Sequence, residues 1–263
     1  MNEELLDELK KSVEGDVAVD SETLATFSHD ASLFEVKPQA VVSPKNEQDV
    51  QKLVKFVAKH KKAHPKLSLT GRAAGTDMGG GSINESILVS FGKYFNHTPT
   101  IKGEIATTEP GVFYRDFEKE TVKQNLLFPS YPASRELCAM GGIVNNNSGG
   151  EKSLQYGKTE NYVKRIKVVL RDGSIIELKK LKEAELKEKM KQKDLEGEIY
   201  NKMFKMINDN YEEIMAAKPK VSKNSAGYFL WNVYDKKKGT FDLHQKFFRG
   251  FPLYLAPMVP LQD

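Results

Sequence analysis

Gly71-Arg72-Ala73-Ala74-Gly75-Thr76-Asp77-Met78-Gly79-Gly80-Gly81 is the densest glycine cluster in the chain, and its reading decides the fold. Residues this small let the main chain approach a ligand closely and take positive φ, so that several N–H groups can converge on one anion. The loop is not a P-loop, because no Gly-Lys-Ser/Thr closes it. It is also a poor Rossmann fingerprint, which needs a helix directly after it. Here the next regular stretch is a β-rich run, Ile87-Leu88-Val89-Ser90-Phe91. A plain glycine hairpin stands as the alternative reading of the loop taken alone.

Outward from the loop, Lys66 to Thr70 reads as a strand leading in. Before it, Asn46 is placed to cap a helix, with Asp49 three residues on as in a capping box, and Val50, Leu53, Val54, Val57 and Ala58 fall on one helical face. Gln39 to Pro44 is a short β run closed by proline. The unit is strand, helix, strand, glycine loop, strand. Leu5, Leu6 and Leu9 add a short helical stripe at the N-terminus.

A second region starts near Gly103. Glu104 to Thr108 alternates as a strand, Pro110-Gly111 marks a turn, and residues 112–124 read as a helix with Phe113 and Phe117 on one side. Asp172-Gly173 between residues 164–170 and 174–178 is a hairpin signal. From Leu181 to Lys220, interspersed Lys and Glu predict solvated helices; acids mixed through the stretch argue against a nucleic-acid arm. Phe247 to Leu255 fits neither a helical nor a strand period and predicts an exposed apolar tail that lowers solubility.

Two further clusters interrupt this second region. Pro129-Ser130-Tyr131-Pro132-Ala133-Ser134 is a rigid, hydroxyl-bearing turn. Soon after it comes Cys138-Ala139-Met140-Gly141-Gly142-Ile143-Val144-Asn145-Asn146-Asn147-Ser148-Gly149-Gly150, small and dense in amides that can donate to and accept from a flat heteroaromatic ring. An asparagine-rich turn can be only a turn, but a second small-residue loop beside the first favours a ligand.

Composition narrows the class. With 263 residues, 39% hydrophobic and 29% charged, the chain is long enough for one large domain or two small ones sharing a core. A mean hydropathy of −0.52 is the polar end of the globular range. The net charge of +4 is too small to imply nucleic acid. The single cysteine, Cys138, excludes an internal disulfide or a multi-cysteine metal site. No stretch reads as a signal peptide or a membrane span, which predicts a cytoplasmic protein.

Taken in order, these stretches resemble the FAD-binding domain of the vanillyl-alcohol oxidase superfamily, most closely its D-lactate/glycolate/2-hydroxyglutarate dehydrogenase branch. The resemblance rests on Phe27-Ser28-His29-Asp30-Ala31-Ser32, Ala40 to Pro44, Arg72 to Gly80, Glu109-Pro110-Gly111, Pro132-Ala133-Ser134, Cys138 to Gly142, Asn145 to Gly150, Tyr156-Gly157 and Val168 to Gly173. It implies an α+β fold of two subdomains: a small strand–helix–strand unit (26–100) and a larger mixed or antiparallel sheet with flanking helices (101–245) carrying the Lys/Glu-rich insert 181–220. Residues 1–25 then form an N-terminal helix and 246–263 an aberrant tail.

The resemblance also implies non-covalent FAD, since neither loop holds a histidine for a covalent tether. The backbone of Arg72, Ala73, Ala74, Gly75, Thr76 and Asp77, with Gly80, would cradle the pyrophosphate. Pro132, Ala133, Ser134, Cys138, Gly141 and Gly142 would line the flavin and its ribityl chain, and Asn145, Asn146 and Ser148 the pyrophosphate or ribose. Cys138 is expected as a packed small residue rather than a reactive thiol, and His29 as structural. The reaction implied is oxidation of a small 2-hydroxy acid to the 2-oxo acid, with electrons passed to an unidentified acceptor. No residue of the chain stands out as the proton acceptor.

Some positions depart from the family. Ala73 stands where a glycine is common, and Ala139 where threonine or serine is. Lys223-Asn224-Ser225-Ala226-Gly227-Tyr228 matches, yet the Gly-Ser-x-Gly-Thr-Leu-Gly segment and substrate-binding cap that relatives carry beyond it have no counterpart from Phe247 onward. The expectation is a truncated or frame-shifted chain, with a catalytically inactive FAD- or nucleotide-binding module as the alternative to a dehydrogenase half.

Overall fold

The computed structural model describes residues 1–221, 224, 227–247 and 253–260. The first subdomain is built on a 4-stranded sheet, order β1-β2-β4-β3. Its strands are β1 (Asp16–Ala18), β2 (Ala40–Ser43), β3 (Leu69–Arg72) and β4 (Ile87–Ser90). β2, β4 and β3 run parallel, and β1 closes the edge antiparallel to β2. Parallel strands need both faces covered, and the side chains split accordingly. Ala40, Val42, Ile87 and Val89 face α3 (Glu47–His60) through Val50, Leu53 and Phe56, with Leu5 and Leu9 of α1 (Glu3–Ser12) beside them. Val41 and Leu88 face Leu24 of α2 (Ser21–Thr26).

Asn46 caps α3 as expected, its side chain accepting from the Asp49 N–H at 2.9 Å. Asp49 does not return the bond. Fully buried, it accepts instead from the N–H groups of Glu14, Gly15 and Lys45, at 2.9 Å each. That ties residues 14–15 to the first sheet. Residues 1–25 are therefore two helices and a strand woven into this subdomain, not one N-terminal helix.

The second subdomain is a 7-stranded antiparallel sheet, order β5-β6-β11-β7-β8-β10-β9. Its strands are β5 (Thr100–Lys102), β6 (Ile105–Thr107), β7 (Arg165–Val169), β8 (Ile175–Lys182), β9 (Tyr234–Asp235), β10 (Thr240–Asp242) and β11 (Leu253–Pro260). The Asp172-Gly173 hairpin forms where the sequence places it, joining β7 to β8.

Three expectations change. The helix expected over 112–124 is α4 (Tyr114–Val122). Phe113 is its N-cap, so Tyr114 rather than Phe113 is buried with Phe117. The Lys/Glu-rich stretch forms α7 (Glu183–Lys191), α8 (Leu195–Asp209) and α9 (Tyr211–Ala216), but α8 is not merely solvated. Its Tyr200, Met203 and Ile207 pack on Ile176, Leu178 and Phe241 and complete the largest core. The apolar tail, expected to be free, supplies β11, which pairs with β6 on one side and β7 on the other. Residues 248–252 and 261–263 of that tail, and Lys223, Ser225 and Ala226 of the matched motif, lie outside the described residues.

The remaining helices are α5 (Met140–Asn145), α6 (Ser153–Tyr156) and α10 (His244–Phe247), with 3₁₀ turns at Thr159–Asn161 and Leu230–Asn232. α3 joins the subdomains: Gln51 Nε2 donates to the Gly173 carbonyl at 2.6 Å, and Lys167 pairs with Glu47 at 2.7 Å. No helix among the described residues is long and apolar enough to cross a membrane.

Candidate functional site: a cavity between two small-residue loops

The glycine loop leaves the carboxyl end of β3, where open parallel sheets place their ligands. It opens onto a cavity of about 500 Å³, within the range of small-molecule sites. Arg72, Ala73, Ala74, Gly75, Thr76 and Asp77 line one wall. Pro132, Ser134, Cys138, Gly141, Gly142, Asn145, Asn146 and Ser148 line the other. Of the residues nominated from sequence, Gly80 and Ala133 alone stay out of the lining. Ala133 is exposed, and Gly80 packs toward Phe34.

The first wall is backbone. Among the described residues the N–H groups of Ala73, Ala74, Gly75 and Thr76 have no acceptor. Four successive unpaired donors at one cavity form the kind of concave surface that binds anions. The side chains of this loop turn away to brace it. Arg72 donates to the His29 carbonyl at 2.6 Å and lies 5.1 Å over the Phe27 ring. Burial pulls its pKa below the usual value, with Asp30 opposing. Asp77 accepts from the N–H groups of Gly79 (3.2 Å) and Gly81 (2.9 Å).

Asp30 accepts from the Ser32 N–H at 2.8 Å and from the Ser82 hydroxyl at 3.1 Å, tying the Phe-Ser-His-Asp segment to the far end of the loop. Burial pushes the Asp30 carboxyl up, but the bonds from Ser32 and Ser82 outweigh it and hold the pKa below its usual range. His29, as expected, is a brace: its carbonyl serves Arg72 and its ring pairs with Glu35 at 3.5 Å. Gly75 needs its φ of +70°. Ala73 does not take positive φ, so the missing glycine costs no backbone strain there.

The second wall is built by close approach. A Cβ on Gly141 would come within 2.6 Å of the Pro110 side chain and 2.9 Å of its carbonyl. A Cβ on Gly142 would meet nothing within 4 Å. Pro110 itself lines the cavity, and Gly111 presses against the Phe91 and Phe95 carbonyls of the first subdomain. The Glu109-Pro110-Gly111 turn is thus the wedge that fixes the distance between the walls. The sequence marked it as a turn but not as a wall.

Cys138 is buried, and burial raises its thiol pKa, so it packs as a small residue and is a poor nucleophile. The Asn145 Oδ1 is buried with no partner among the described residues. Val54, Phe91, Leu170 and Arg171 also line the cavity. They were missed because nothing local distinguishes them from ordinary core or turn residues. Unpaired amides, an orphaned amide oxygen and the cation of Arg171 together fit a flat, diphosphate-bearing group.

Residues 38–179, more than half of the chain, match the FAD binding domain family. The chain belongs to that family. The chain is 28% identical over 232 residues to D-2-hydroxyglutarate dehydrogenase of Escherichia coli (strain K12), covering 87% of this chain and 22% of that protein. Against glycolate oxidase subunit GlcD of Bacillus subtilis (strain 168) it is 32% identical over 154 residues, 57% of this chain and 32% of that one.

Among solved structures, alkyldihydroxyacetonephosphate synthase superposes with a TM-score of 0.65 at 16% identity, covering 100% of this chain and 41% of that chain. For 4-ethylphenol oxidase from Gulosibacter chungangensis the TM-score is 0.65 at 19% identity, covering 98% and 42%. At such identities the likeness is one of fold, and it is the α+β, two-subdomain fold that the sequence motifs implied. The chain thus spans about a fifth to a third of the length of the two dehydrogenase and oxidase relatives, 22% and 32% respectively.

Proposed function

We propose that the cavity between the two loops holds FAD non-covalently, and that the chain is the flavin-holding part of an oxidoreductase that converts a small 2-hydroxy acid to the 2-oxo acid. The run of unpaired N–H groups from Ala73 to Thr76 carries this reading. Those amides would take the pyrophosphate, with Arg171 adding positive charge. Asn145 would donate to or accept from the ribityl chain or ribose, while Pro132, Ser134 and Cys138 exclude water from the flavin's side. FAD, when bound, supplies the two-electron oxidation; the protein's part is to orient the cofactor and set its surroundings. The similarity to D-2-hydroxyglutarate dehydrogenase and to a glycolate oxidase subunit supports the substrate class. A cytoplasmic site of action is part of the same proposal.

A second reading has its own support. Asp77 is the carboxylate among the residues that line the cavity, and one of its oxygens is taken up by two loop amides, so its contacts brace the glycine loop. On that reading the chain binds FAD but turns over substrate only with further polypeptide, or not at all.

Titrating the purified chain with FAD, followed by flavin fluorescence quenching and a rise in melting temperature, tests the shared claim. A folded protein that takes up no FAD would sink both readings. Dye reduction by D-lactate, glycolate or D-2-hydroxyglutarate then separates them.

A further inference from the structure

The asparagine loop has a front and a back. Asn145, Asn146 and Ser148 face the cavity, and the Asn145 Oδ1 has no partner among the described residues. Asn147 points the other way and is 1% exposed. Its φ is +46°, a conformation that side-chain-bearing residues rarely adopt, though asparagine tolerates it better than most. The turn in the backbone at Asn147 is what sends its neighbours to the cavity while it faces inward.

That turn is held from behind by the 3₁₀ segment Thr159–Asn161. The Asn147 amide is gripped at both ends by one residue: its Oδ1 accepts from the Glu160 N–H at 2.9 Å, and its Nδ2 donates to Glu160 Oε2 at 2.8 Å. The next carbonyl, Ser148, accepts from the Thr159 N–H (3.1 Å), the Thr159 hydroxyl (2.8 Å) and the Ser130 hydroxyl (3.2 Å). Behind it, Gln245 Nε2 donates to the Glu160 carbonyl at 3.3 Å. Each of these bonds is made on the side away from the cavity. The front keeps the unpartnered Asn145 oxygen on a fixed frame.

We propose that Glu160, acting through Asn147, is a positioning residue that holds Asn145, Asn146 and Ser148 in the geometry that binds the cofactor. This rests on the FAD reading above. Glu160 is not among the residues that line the cavity; its carboxylate holds the loop, and the loop faces the cavity. Such support from behind decides whether polar groups in a site are held tightly enough to be useful.

The test uses the full chain, with FAD as titrant and the melting temperature of the cofactor-free protein measured alongside. Glu160→Ala should raise the FAD Kd about tenfold, because the buried Asn147 donor loses its acceptor and the loop loses its register. Glu160→Gln keeps an acceptor and drops only the charge. It should bind FAD like the unaltered protein, which separates positioning from a general effect of charge on an anionic ligand. Asn147→Gly suits the left-handed backbone yet removes both side-chain bonds. It should weaken FAD binding at least as much as Glu160→Ala, which keeps the main-chain bond to Asn147 Oδ1, and the double variant should be no worse than Asn147→Gly alone. Should Glu160→Ala fail to fold, Asn147→Gly carries the test by itself.

A purely structural role would lower the melting temperature and leave the Kd of the folded protein unchanged. Unchanged affinity in Asn147→Gly and in any folded Glu160→Ala overturns the proposal, as does a Glu160→Gln variant as weak as Glu160→Ala. Failure of the unaltered chain to bind FAD strikes the functional reading itself and is seen before any variant is made.

Discussion

The two walls of the cavity reach one end by opposite routes. The 71–81 loop turns its side chains outward, Arg72 to the His29 carbonyl and Asp77 to the amides of Gly79 and Gly81, and offers bare main chain to the ligand. The 138–148 wall satisfies its main chain in α5 and in the contacts of Ser148, and offers the side chains of Asn145 and Asn146. One wall suits an anion of low sequence demand, the other a ring and chain with fixed donors and acceptors. Glycine means something different in each. In the first loop it grants conformation; in the second it grants distance.

The sharpest way to break this contrast lies in neighbouring glycines. Gly141→Ala drives a Cβ into Pro110, side chain and carbonyl alike, and is expected to cost about 3 kcal/mol of stability by overpacking. Urea melts would read it, and FAD uptake should fall with it. Gly142→Ala meets no atom and faces the cavity, so its melt should equal that of the unaltered protein while FAD binding weakens. Equal melts for the two variants would end the idea that Gly141 is there for close approach.

Gly75→Ala should act next in size. Its φ of +70° strains any other residue by about 1–2 kcal/mol, and the new Cβ would sit 2.5 Å from the Arg72 guanidinium. Arg72 must then leave the His29 carbonyl or the loop must shift. The expected result is a modest loss in melting temperature with a larger loss of FAD affinity. If affinity holds, the first wall is not the anion site.

Acid should produce the smallest effect, confined to the first wall. The Asp30 pKa is depressed in the folded protein. Its contribution is therefore fully present above the unfolded value near 3.8 and lost as pH falls through the lower folded value. Hydrogen exchange at residues 77–82 should quicken below about pH 4 before residues 145–148 respond. Simultaneous loosening of both walls would show that Asp30 is not the local tie.

Much of this was legible in one dimension. Small residues at 71–81 and the Asp172-Gly173 hairpin carry their conformations locally, as does the Asn46 cap, so their reading needed no partner. The ordered motifs then implied the fold. The Lys/Glu-rich look of the stretch around α8 hid its core face, because Tyr200, Met203 and Ile207 are spaced among polar and charged residues. The tail's strand β11 showed no period of its own, since its identity comes from pairing with β6 and β7, both far away in sequence.

The same division holds at the site. Which residues could line a ligand cavity was set by side-chain size and amide content, properties a residue owns wherever it sits. Which of three successive asparagines turns inward, and that Pro110 sets the gap between the walls, depended on neighbours brought close only by folding. Backbone freedom and hydrogen-bonding capacity are local; burial, distance and the choice of partner are not.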